Sequence, residues 1–172
     1  MNSSKKFDNQ SYKKRVDHEG GAHRAGMKLP EPASCPKCGS IYSDGRWVSP
    51  KFVHESGKHL HWRPTNSVVC QACKQVENHI VGGYLTMNGA FLARHHDEII
   101  KLIENEAIRA VEDNPLSRIM ERIETADELL VETTTEHMAQ RLGHALNRAF
   151  AGKVTYDFSH ENKVARVNWH RD

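Results

Sequence analysis

The chain has 172 residues, 38% of them hydrophobic and 27% charged, enough for one ordinary domain or a small metal-stapled module plus a second small domain. No apolar run approaches the roughly 18 residues of a membrane span, and the opening MNSSKKFDNQSYKKR lacks the apolar stretch of a secretory signal. The expectation is a cytoplasmic protein with reduced thiols, no membrane association, and cysteine pairs that hold metal rather than disulfides. Net charge is only +2, but residues 1–86 carry 13 Lys+Arg against 7 Asp+Glu, whereas residues 87–172 carry 11 against 15. The basic half suggests an anionic partner, although a lysine-rich surface that merely aids solubility has the same composition.

Residues 1–33 read as a disordered basic tail: rich in Lys, Ser, Asn and Gly, nearly free of large aliphatics, and ending in LPEPAS. Lys5, Lys6, Lys13, Lys14 and Arg15 alternate with Phe7 and Tyr12, a mixture suited to phosphates and bases and equally to a solvated tail.

Residues 34–86 form the metal module. Cys35 and Cys38 in CPKCG and Cys70 and Cys73 in CQAC make two C-x-x-C pairs separated by 31 residues. Tetrahedral Zn²⁺ takes four thiolates at about 2.3 Å, and each C-x-x-C turn delivers two of them. Gly39 gives the first knuckle its tight turn. Four thiolates leave no open coordination position, so one structural zinc ion is expected, with iron as competitor because CPKCG also resembles a rubredoxin knuckle. GSIY after the first pair and VV before the second suit short strands, and Ser56-Gly57 suits a hairpin tip.

Residues 87–172 read as a separate α+β domain. Leu92, Ile99, Leu102, Ile103 and Ala110 recur at helical spacing over 89–114, and Asn114-Pro115 stops that helix. Strands are expected at 119–124 and 128–134, with Thr125, Ala126 and Asp127 between them. Thr133 and Glu136 form a capping box for a second helix, which presents Met138, Leu142, Ala145, Leu146, Ala149 and Phe150 on one face and ends at Gly152. Val154, Tyr156 and Phe158 alternate as one strand, and Ala165, Val167 and Trp169 as another. The α-β-β-α-β-β order predicts a four-stranded antiparallel sheet with both helices on one face, a permuted ferredoxin-like sandwich. Thr155, Asp157, Arg166, Asn168 and His170 then fall on its open face.

Twelve histidines invite an enzymatic reading. His54, His59 and His61 lie between the cysteine pairs, but His95 and His96 diverge by about 100° on a helix. Neither H-E-x-x-H, G-x-S-x-G nor a phosphate-cradling glycine loop occurs, and Gly82, Gly83 and Gly89 read as turn glycines, so no enzymatic activity is expected. His137, Arg141, His144 and Arg148 instead share one helix edge with Gln140. That edge suits phosphate contacts, or simply side chains snorkelling beside a core stripe.

Taken together, CPKCGSIYSDGRW, CQAC, GGYLTMNGAFLARHHDEIIKLIENE, NPLSRIMERIE and LLVETTTEHMAQRLGHALNRAF resemble a bacterial family of short zinc-ribbon proteins. That family is similar to the nonsense-mediated-decay-type ribosome-binding protein of archaea and eukaryotes, the nuclear export adaptor of the large ribosomal subunit. This chain has a single cysteine quartet where the adaptor has more, and it lacks the adaptor's long extensions. What the resemblance implies is docking on rRNA or the ribosome. The expected function is thus a non-enzymatic zinc-binding protein that binds RNA, on the ribosome, with a protein-interaction adaptor as the alternative. Arg46, Trp47, Lys51, Lys58, Arg63 and Lys74 on the ribbon would supply phosphate contacts and a stacking ring, joined by His137, Arg141, His144 and Arg148.

Overall fold

A computed structural model describes residues 5–8, 29–55, 65–159 and 164–172. The described elements are β1 (Lys5–Asp8), β2 (Ala33–Ser34), β3 (Ile41–Ser43), β4 (Arg46–Val48), α1 (Pro50–Glu55), β5 (Asn66–Ser67), α2 (Gln71–Glu77), β6 (Gly83–Asn88), α3 (Ala90–Arg94), α4 (His96–Asp113), β7 (Ile119–Glu124), β8 (Glu128–Thr133), α5 (Glu136–Phe150), β9 (Lys153–Ser159) and β10 (Val164–His170). They build an α+β protein with a four-stranded sheet in the order β4-β3-β2-β5 and a six-stranded sheet in the order β1-β9-β10-β6-β8-β7.

Strand period dictates the large sheet's core. Alternate residues Leu85 and Met87, Leu129 and Val131, Val154 and Tyr156, and Val167 and Trp169 are buried on one face. Met138, Ala139, Leu142 and Leu146 of α5 and Ile99, Ile103 and Ala110 of α4 complete that cluster. The helix lies close to the sheet because small residues face it. A Cβ added at Gly143 would come within 2.6 Å of Val167 Cγ1, and one at Gly83 within 2.8 Å of Ala139 Cβ.

The expected four-stranded antiparallel sheet is replaced by a larger, mixed one. Gly83–Asn88 is a central strand, antiparallel to β8 and parallel to β10. The expected module boundary at 86/87 therefore falls within β6. Gly82 and Gly83 are not merely turn residues: added Cβ atoms would strike the Thr134 carbonyl and α5, respectively. The expected helix over 89–114 breaks at His95, which leaves helical dihedrals (φ −123°, ψ 26°) as its ring stacks on Phe91 at 4.0 Å. Lys5–Asp8, expected within the disordered tail, pairs with β9, while residues 9–28 lie outside the described residues. The Ser56-Gly57 hairpin tip lies outside them as well.

The helix cap moves by two residues. Thr135, not Thr133, is the N-cap of α5, accepting from Met138 N at 3.2 Å. Thr133 finishes β8 and donates to the Gly83 carbonyl. Thr134 donates to the Leu116 carbonyl at 2.6 Å and accepts from Arg118 N at 2.9 Å. These bonds fix the loop between α4 and β7, from which Leu116 reaches into the core of the cysteine module beside Cys35, Cys70, Cys73 and Trp47. Gln75 of α2 closes the junction by donating to the Thr134 carbonyl at 2.8 Å.

Candidate metal centre

Each cysteine pair is presented by local backbone geometry. In the first knuckle Gly39 N donates to the Cys35 carbonyl at 2.9 Å and Cys35 N to the Ser40 carbonyl at 2.8 Å, with Gly39 at φ +73° in the region that glycine tolerates without strain. In the second, Cys70 is the N-cap of α2, its sulfur accepting from Cys73 N at 3.5 Å.

The four sulfurs lie within 4.8 Å of one another. Cys35 and Cys73 Sγ are 3.8 Å apart, and Cys38 and Cys70 Sγ 3.7 Å. A tetrahedron with metal–sulfur bonds of about 2.3 Å has edges of about 3.8 Å, so the donor set fits one tetrahedral ion. Cys70 N donates to Cys35 Sγ at 3.3 Å, Arg118 Nη1 to Cys73 Sγ at 3.6 Å, and Ser40 Oγ lies 3.2 Å from Cys38 Sγ. Such outer partners orient ligands and offset their charge. Arg118 comes from the α4–β7 loop, which no cysteine spacing reveals.

Electrostatics agree with the geometry. Burial pushes the Cys70 and Cys73 thiols up. Burial also acts upward on Cys38, yet hydrogen bonding to Ser40 and Arg118 draws it down to about 6. Crowded thiolates repel one another, and a central cation reverses that repulsion, which is why a coordinated thiol ionises.

The residues expected to contact RNA are dispersed. Trp47 is only 6% exposed, with its ring 5.3 Å from Tyr42, so it is a core residue and not an open stacking platform. Lys51 Nζ is bonded to Glu112 at 2.7 Å, and the Arg46 guanidinium lies over Phe52. Lys74 is exposed, and Lys58 and Arg63 lie outside the described residues, as do His59 and His61. The module's described residues, 29–55 and 65–82, carry four Lys+Arg and four Asp+Glu; the basic excess belongs to residues 1–28 and 56–64, with nine against three.

On α5, Arg141 is already engaged. Its Nε donates to Glu106 at 3.0 Å and its Nη1 to Asp113 at 2.7 Å. Glu106, a buried carboxylate on α4, also meets Arg109 at 3.1 Å and Arg148 at 3.9 Å. His144 is half-buried 5.4 Å from Tyr156, and burial, assisted by Arg148, lowers its pKa. His137 sits beside Glu136 at 3.9 Å. The edge is thus largely an ionic seam between α4 and α5; the partner it needed, Glu106, lies 35 residues upstream of Arg141, beyond the reach of helical periodicity.

Opposite the helices, strand register lines up rows of side chains. Glu121, Glu132, Tyr84, Arg166 and Asp157 form one row, and Ile123, Leu130, Thr86, Asn168 and Thr155 the next. The Arg166 guanidinium lies 5.7 Å from the centre of the Tyr84 ring. No helix of the described residues is long and apolar enough to cross a membrane.

Fold and site together define an α+β protein with a cluster of four cysteines whose sulfurs fit one tetrahedral metal ion, packed against the loop that leads into β7. No family model, curated protein or solved structure matches the chain.

Proposed function

We propose that the protein is a non-enzymatic, zinc-stabilised RNA-binding protein that acts in the cytoplasm on the ribosome. Four thiolates fit zinc and complete its coordination, which assigns the ion to structure. The observation that carries the RNA reading is the sheet face opposite the helices, where Tyr84 and Arg166 adjoin Thr86 and Asn168. An aromatic ring beside a guanidinium on central strands provides stacking and phosphate contact together. Pairing of β1 with β9 also anchors the basic amino-terminal segment two strands from Arg166. The resemblance to ribosome-docking zinc-ribbon proteins favours the ribosome as the source of that RNA, and a permuted ferredoxin-like ancestry is compatible with the βαββα path of β6 through α5.

The test is co-sedimentation with ribosomes, plus single-stranded RNA binding by fluorescence anisotropy, across a salt series. Affinity should fall steeply with salt, the slope reporting phosphate contacts. Tyr84→Ala should weaken binding about tenfold, as expected for the loss of one stacked base. Equal recovery in ribosome-free fractions at every salt concentration, with no RNA binding at low salt, overturns the reading. It would promote a protein-interaction adaptor instead, the reading favoured by the exposed apolar side chains Val76, Ile80 and Ile123.

A further inference from the structure

Away from the cysteines, His79, Glu121 and Glu132 each place one ligand atom within 4.8 Å of the other two. Glu132 is only 6% exposed, yet its Oε2 accepts no hydrogen bond from the described residues. His79 Nε2 approaches that oxygen to 3.1 Å without a hydrogen-bond alignment. Among the described residues, neither Glu121 nor Glu132 is paired with a lysine or arginine. A buried carboxylate oxygen left unbonded is costly, and a second carboxylate beside it adds repulsion.

We infer that these three side chains form a second metal site, for a divalent first-row transition ion. At ligand distances of about 2.1 Å, cis donors lie about 3 Å apart and trans donors about 4.2 Å. The His79–Glu132 separation matches a cis pair, and Glu121 and His79 are exposed. One imidazole nitrogen with two carboxylate oxygens selects Zn²⁺, Mn²⁺, Fe²⁺ or Co²⁺ over Ca²⁺, which takes oxygen ligands only. The supporting backbone is specific. A register shift between Ile119 and Glu121 re-aims Glu121 onto the open face beside Glu132, and His79 holds φ +50° just past the end of α2. The ion joins α2, which begins at the cysteine cluster, to the β7–β8 hairpin of the large sheet. It staples the cysteine module to the large sheet through His79, beyond the end of α2, and water completes its coordination.

The experiment is titration of the full chain, with its four-cysteine site already loaded, with Co²⁺ followed by absorption and calorimetry. A second equivalent should bind with weak ligand-field bands and without thiolate-to-metal charge-transfer bands. It should be lost, or weakened at least tenfold, in Glu121→Gln and in His79→Ala. Both positions are exposed, so these variants should retain the native circular dichroism and the first ion; Glu132→Gln, at a buried position, is the supporting third. Absence of a second equivalent in the native chain overturns the proposal. So does a second equivalent unaffected by Glu121→Gln and His79→Ala, which would assign binding to other histidines. Neither outcome depends on RNA.

Discussion

Truncating Arg141 to alanine separates a structural role from a recognition role on the α4–α5 edge. Arg141 donates to buried Glu106 and to Asp113, and among the described residues Arg109, at 3.1 Å, and the more distant Arg148 remain for Glu106 once it is gone. Removing one partner of a buried pair typically costs about 3–5 kcal/mol because the other charge is stranded. Arg109 keeps part of the compensation, so the expected loss is about 2 kcal/mol. For a chain of this length that corresponds to a fall in melting temperature of about 4–8 °C. Differential scanning calorimetry measures it, and the double variant with Glu106→Gln should recover part of the loss because no charge is left behind. Arg148→Ala, exposed and 3.9 Å from Glu106, should cost under about 0.5 kcal/mol. If Arg141→Ala melts within 1 °C of the native protein, Glu106 is not held as argued, and the edge is available for phosphate after all.

Three further outcomes are expected. Cys38→Ser or Cys73→Ser, or removal of the ion by a strong chelator, should unfold the cysteine module and expose Trp47, because structural-metal binding energy is folding energy; unchanged tryptophan fluorescence and protease resistance would contradict this, and elemental analysis should find one zinc in that site. Gly143→Ala drives a methyl group to within 2.6 Å of Val167 Cγ1 and should destabilise by about 1–3 kcal/mol, whereas a neutral effect in denaturant titration would show that α5 can lift off the sheet. For His144, burial lowers the folded-state pKa, so the unfolded chain takes up a proton near pH ~6.5 before the folded chain does. Stability should therefore fall as pH drops below about 6.5, and His144→Phe should flatten that part of the profile; an unchanged slope would place the titrating group elsewhere.

Local chemistry explains what could be read from sequence. The cysteine pairs carry their own geometry, so the sulfur cluster was legible from spacing alone. So were the β9 and β10 alternations, because one buried face leaves a period of two. β6 was hidden because Gly82 and Gly83 are turn formers by composition and close-packing residues only in three dimensions. Three consecutive threonines offer three overlapping cap registers, and only the pairing of Thr133 with Gly83 decides among them. Trp47 stands next to Arg46 in a lysine- and arginine-bearing stretch, a setting that suits stacking, yet Leu116, 69 residues on, takes part in the core that buries it. Glu106 and the His79–Glu121–Glu132 cluster have no local signature: their partners come from different elements, and a carboxylate on a helix or strand looks solvated until the chain is folded.

The placement of β10 bears on how the chain reaches this structure. It is the last strand in sequence, yet it lies between β9 and β6, and its parallel partner β6 begins 81 residues earlier. A nascent chain can close the β6–β8–β7 half with α4 and α5 early, since those pairings are antiparallel and comparatively local. β9 packs on α5, but it and β1 join the sheet's hydrogen-bonded ladder only through β10. The sheet must therefore be zipped from its middle, at a seam of high contact order, which makes final closure the slow step. Until then β6 exposes an unsatisfied edge rich in Leu, Met and Tyr. Pairing with β10 covers that edge, which removes a template for strand addition by another chain.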